Sequence, residues 1–136
     1  MDLFKVELSD GEIGNMSNLA LAHIGDGVYE LMVRTHLALE GRETNSGLHR
    51  ATVAMVAATA QAAAAERIEG LFTQEERQVY RRGRNAKVHS VPHGASFSEY
   101  HTATALEALF GYLYLKGRTD RLNELFDAIL EAKHVS

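Results

Sequence analysis

Helical periodicity recurs along the chain, and a single proline interrupts it. Such a chain has to be assembled from helices. From Met16 the pattern reads as a hydrophobic staple from Met16 to Leu21 and an N-cap at Ser17. Leu21, Ile24, Val28, Leu31, Met32, Thr35 and Leu39 then follow at spacings of three and four, with a stop at Gly41. The segment Leu48 to Leu71 is dominated by alanine, nine of them between Ala51 and Ala65, which suits helices whose backbones approach closely. It reads as two helices or one bent helix, with the break unassigned. Thr73 and Glu76 form a capping box opening a helix to about Lys87. Pro92 and Gly94 mark a loop, and a second long helix from about Ser98 carries Leu106, Leu109, Phe110, Leu113 and Tyr114 before Gly117. A last helix, capped near Thr119, shows Leu122, Leu125, Phe126, Ile129 and Leu130 at helical spacing. The expected fold is all-α, with about six or seven helices.

At 136 residues, 46% hydrophobic, the chain reads as one globular domain over 1–136. It contains no cysteine, so disulfides and thiolate metal sites are excluded. Its first residues show no apolar run of a signal peptide or membrane span, which leads us to expect a cytoplasmic protein without a membrane partner. The seven histidines include no HExxH pair, and there is no Walker loop, GxGxxG or nucleophile motif.

Within the first long helix, "LALAHIGDGVYE" sets Asp26 between two glycines, each costing a helix interior ~1 kcal/mol relative to alanine. Two readings fit. Asp26 is either a solvated flank whose glycines let a neighbouring helix pack closely, or a metal ligand whose glycines admit another backbone or a substrate. Glu107, bracketed by Leu106, Leu109 and Phe110, is similarly open between a salt bridge to an arginine and a functional carboxylate. Together, two carboxylates at the margins of two apolar helix faces suit a hard divalent cation such as magnesium.

The formal charge of −4 disfavours nucleic acid as a partner, but it hides a local asymmetry. The run from Arg77 to His93 holds five of the fourteen Lys and Arg residues and no acid. Arg81, Arg84 and Lys87 share one side of a helix, with Asn85 beside them, as a phosphate-contacting surface requires.

Three stretches, "LALAHIGDGVYELMVRTHL", "RRGRNAK" and "TATALEALFGYLYL", in this order and at these separations, resemble the Mini branch of the ribonuclease III family over roughly Ser17 to Gly117. The resemblance implies an all-α ribonuclease III-like endonuclease domain that acts as a homodimer on double-stranded RNA, with Mg2+ or, in its place, Mn2+. It implies a substrate in structured RNA, the large-subunit ribosomal RNA precursor within a pre-ribosomal particle. It assigns Asp26 and Glu107 as catalytic metal ligands, and Arg82, Arg84, Asn85 and Lys87 as RNA-facing residues. Where larger ribonucleases III carry further carboxylates, this chain has Leu19, Ala22 and Thr104. That stripping keeps a rival reading open, a non-catalytic RNA-binding ribosome-assembly factor of the same fold. A helical interaction protein without an RNA role is a third. On the nuclease reading, Gly25 and Gly27 are expected to make space for a dimer partner or RNA.

Overall fold

The computed structural model describes residues 1–86 and 94–135, with side chains to Glu131. Its α-helices are α1 (Asp10–Gly14), α2 (Asn18–Glu40), α3 (Asn45–Val56), α4 (Ala58–Ile68), α5 (Gln74–Arg84), α6 (Phe97–Leu115) and α7 (Thr119–Val135). A 3-10 turn, Glu69–Leu71, follows α4, and no strand occurs among the described residues. The short α1 and the 3-10 turn lack a long enough apolar repeat to stand out in sequence. Helix α5 ends at Arg84, with Asn85 as its C-cap, short of the expected end near Lys87, which itself lies outside the described residues.

The helix starts follow local hydrogen-bonding chemistry. Ser17 accepts from the Ala20 amide, Thr44 from Gly47, and full capping boxes join Ser9 with Glu12, Thr73 with Glu76, and Ser96 with Glu99. Gly41 ends α2 at φ 68°, the left-handed conformation that glycine tolerates best. The break in the alanine-rich segment falls at Ala57, whose ψ of 145° leaves helical space and turns the chain from α3 into α4.

The middle of the fold is α6, buried on nearly every side and packed against α2, α4, α5 and α7. Leu106, Leu109, Phe110 and Leu113 are wholly enclosed, and Tyr29 of α2 packs edge-on against Phe110 and Phe126, with ring centroids 5.2 and 5.9 Å away. The buried stripe of α2 is Leu21, Ala22, Gly25, Tyr29, Val33 and Leu37. It is rotated from the expected one: Ile24, Val28 and Met32 are half-buried flank, while Leu31 and Leu39 are exposed. Val33 and Tyr29 are its most deeply buried side chains, and Gly25 takes the position where α6 comes too close for any larger residue.

An ion-pair cluster ties α7 to the start of α5. Arg121 donates to both carboxylate oxygens of Glu76 at 2.9 Å and to the Leu71 carbonyl at 2.8 Å. Burial pulls the Glu76 carboxyl upward, but Arg121 and Thr73 outweigh it and hold the group below its ordinary value. Among the described residues, no helix is long and apolar enough to cross a membrane.

Candidate active site

The site begins with a backbone crossing. A Cβ added to Gly25 would lie 1.6 Å from the Glu107 carbonyl oxygen, and one added to Gly111 would lie 2.0 Å from the Leu21 carbonyl oxygen. Helices α2 and α6 therefore touch main chain to main chain, which only glycine permits at these two positions. Gly25 answers to its own chain's α6, which corrects the expectation that it serves a dimer partner or RNA. Gly27 is different: nothing lies within 4 Å of a Cβ built there.

This crossing brings the two sequence-predicted acids together. Asp26, exposed and next to Gly25, faces Glu107, half-buried on α6. Burial, the neighbouring Asp26 charge and a hydrogen bond with Asp26 push the Glu107 carboxyl up to about 8, and the Gln61 amide pulls it partly back. No arginine pairs with Glu107 among the described residues, so the salt-bridge reading of this residue does not hold. Two like charges held together, one desolvated, form a site whose electrostatics improve when a cation joins it. Their oxygen-only donor set suits a hard divalent ion. No third His, Cys, Asp or Glu completes a metal-binding cluster among the described residues, so the remaining ligands would have to come from water and substrate.

The neighbouring positions explain why only two acids converge. Ala22 and Thr104 are buried, and the Thr104 hydroxyl donates to the Tyr100 carbonyl at 2.9 Å. Leu19 is partly exposed at the start of α2. Glu30, one turn beyond Asp26, pairs with Arg34 at 2.9 Å and takes no part in the acidic pair.

Helix α5 approaches the same turn of α6 from another side. A Cβ on Gly83 would come within 2.7 Å of the Ala108 Cβ and 3.1 Å of the Ala105 Cα, so α5 rests on the residues bracketing Glu107. Packing of Gly83 leaves Arg77, Arg81, Arg82, Arg84 and Asn85 exposed. None of these arginines has an acidic partner among the described residues, whereas Arg34, Arg118 and Arg121 do. Lys87, the fourth RNA-facing residue expected, lies outside the described residues. The end of α5 is secured by His101, whose Nδ1 pairs with the Arg84 carbonyl at 2.9 Å.

The ribonuclease III domain model matches residues 19–118, a span that contains both acids and the basic helix. The chain belongs to the Mini-ribonuclease III branch of the ribonuclease III family. It is 46% identical to a Mini-ribonuclease 3 from Symbiobacterium thermophilum, over 81% of this chain and 85% of that one. It is 42% identical to a Mini-ribonuclease 3 from Thermoanaerobacter, over 83% and 80% of the two chains. A crystal structure of a Fusobacterium nucleatum protein superposes with a TM-score of 0.80 at 27% identity, covering 90% of this chain and 98% of that one. As a member of the ribonuclease III family, the chain is an endoribonuclease.

One residue of the site escaped sequence reasoning. Gln61 on α4 is 1% exposed and sits beside Glu107. Its signal was slight, a long polar side chain inside the alanine run "ATAQAAAAE".

Proposed function

We propose that the chain is a magnesium-dependent endoribonuclease of double-stranded RNA, that it works as a homodimer in the cytoplasm, and that its substrate is structured RNA at the ends of the large-subunit ribosomal RNA precursor. The observation that carries this reading is the Asp26–Glu107 pair, two carboxyls forced together at a glycine crossing with no basic partner among the described residues. When bound there, a divalent ion supplies polarisation of the scissile phosphate and lowers the pKa of the attacking water. Mn2+ meets the same oxygen-donor requirement.

The chain's own residues account for the remaining steps. Glu107 gives up its proton to become a ligand, and the α2–α6 crossing fixes Asp26 beside it so that the pair meets the substrate already oriented. Arg82, Arg84, Asn85 and, by its place in the sequence, Lys87 contact RNA phosphates, without the aromatic platform that reading single-stranded bases requires. One small acidic centre cuts one strand, so a two-fold pair of centres is needed for both. An apolar groove of about 380 Å³ on the outer side of α2, lined by Ile24, Val28, Leu31, Met32, Tyr114 and Phe4, supports the dimer, and Gly27 opens onto it.

The test is incubation of the protein with Mg2+ and labelled RNA duplexes, alongside sedimentation analysis. Staggered cuts by a dimer support the proposal. Binding of varied structured RNAs without any cut would instead mark a ribosome-assembly factor.

A further inference from the structure

Helix α2 carries polar groups well beyond Asp26. Asp26, Glu30, Arg34 and Ala38 follow one another at intervals of four, as one row of neighbours along the helix. At its far end the row runs into a pocket of about 310 Å³ between α2 and α3, lined by Arg34, Ala38, Asn45, Leu48, His49 and Thr52. No acid lines it. Asn45 and His49, one turn apart, form the polar part of the α3 wall, and Arg34 supplies the charge from α2. Arg34 gives only one edge to Glu30: its Nε and Nη2 both meet Oε2 at 2.9 Å, while Nη1 has no acidic partner among the described residues. An exposed ion pair of this spacing adds little stability. The first turn of α3 is already served by an acid of the chain itself, since the Glu43 carboxylate lies 2.7 Å from where a Gly47 Cβ would be. Neither helix stability nor the start of α3 therefore accounts for these donors.

We propose that this pocket is a subsite for a phosphate of the RNA strand, with Arg34 as its charged contact and Asn45 and His49 as neutral ones. The proposal rests on the double-stranded RNA reading given above. A guanidinium with one edge pinned to a carboxylate keeps the other for phosphate oxygens. The placement fits the reaction. Arg34 lies two turns from Asp26, about 12 Å along the helix axis, a length that one RNA backbone spans within a few nucleotides of the cut. Helix α3 packs on α2 and α5 packs on α6, so the pocket flanks the acidic pair on the α2 side and the arginines of α5 flank it on the α6 side. A strand held on both sides of the bond to be cut presents its phosphate in a fixed orientation, and one held on a single side swings.

The experiment is binding of an RNA duplex in chelator at several salt concentrations, for the parent, Arg34→Gln, Glu30→Gln and Arg42→Gln. Glutamine at position 30 removes the acid but keeps an acceptor for Arg34. Arg42, exposed in the turn between α2 and α3 and outside the pocket lining, controls for the loss of one positive charge. Arg34→Gln is expected to keep parental helicity, to weaken binding at moderate salt and to reduce the slope of log K against log[salt] by about one. On a duplex that is cut in Mg2+, its loss should fall on KM rather than kcat. Glu30→Gln and Arg42→Gln are expected to keep the parental slope. An unchanged slope in folded Arg34→Gln overturns the proposal. So does an equal loss in Glu30→Gln, which would make the ion pair structural, or in Arg42→Gln, which would make the effect one of net charge. If the parent itself binds no duplex, the RNA reading fails and takes this proposal with it.

Discussion

Gly25 and Glu107 are in main-chain contact: a Cβ on the glycine would lie 1.6 Å from the glutamate's carbonyl oxygen. The contact is both the tightest packing constraint in α2 and the device that sets Asp26 against Glu107. Gly25→Ala is therefore expected to destabilise the protein by about 3 kcal/mol or more, despite alanine's better helix propensity, because neither backbone can yield without separating the helices. Thermal unfolding checks this; an unchanged Tm would contradict the crossing.

Gly27 makes the opposite case. With open space around it, Gly27→Ala is expected to stabilise the isolated subunit by about 0.5–1 kcal/mol through helix propensity. If the groove beside Gly27 receives a second subunit, the same change should weaken the dimer, which sedimentation at low protein concentration would detect. A more stable subunit with parental dimerisation would move the interface elsewhere.

These two glycines show how far the sequence could be read. The order of the long helices, the Thr73–Glu76 capping box, the limits of α2 and the pairing of Asp26 with Glu107 were legible, because they rest on local chemistry and on motifs; α1 and the capping boxes at Ser9 and Ser96 were not read. The buried face of α2 was not legible either. Apolar periodicity pointed to Ile24, Val28 and Leu31, but the buried stripe runs through Ala22, Gly25, Tyr29 and Val33, turned inward by the nearness of α6 at Gly25, which no single-helix pattern records. Gln61 was missed because its partner, the Val56 carbonyl, is freed for it only by the turn between α3 and α4 at Ala57.

Two acids should give the metal-free protein opposite pH responses. The Glu107 carboxyl rises from 4.5 to about 8 on folding, so folding takes up a proton in that interval and stability falls as pH climbs from about 4.5 through 8. Glu107→Gln removes the penalty and should flatten the Tm profile measured in chelator between pH 5 and 9; parallel profiles for parent and variant would count against it. Glu76 is held below its ordinary value, so its contribution is present at neutral pH and is lost as pH falls below about 4.5.

The Arg121–Glu76 pair carries its own prediction. Arg121→Met would leave the Glu76 carboxylate, 3% exposed, without its guanidinium, and the expected loss is about 3 kcal/mol. Denaturant unfolding should show a lower midpoint with an unchanged slope. RNA cleavage per folded molecule should stay parental, because the pair joins α5 to α7 and includes neither acid of the site nor an RNA-facing residue.

Arg82 and Arg84 are exposed and without acidic partners among the described residues, so each is free to meet phosphate. Alanine at either position is expected to weaken duplex binding at moderate salt and to reduce the slope of log K against log[salt] by about one per lost contact. Binding titrations at several salt concentrations decide this. Unchanged slopes in both variants would place the RNA surface elsewhere.

The central claim, that Asp26 and Glu107 act as one metal-holding centre, is tested most directly by cleavage of a labelled RNA duplex in Mg2+ by the parent, Asp26→Asn and Glu107→Gln. The account predicts that both variants remain folded and bind the duplex with near-parental affinity while cutting falls to background. Cleavage at the parental rate by either folded variant would contradict it.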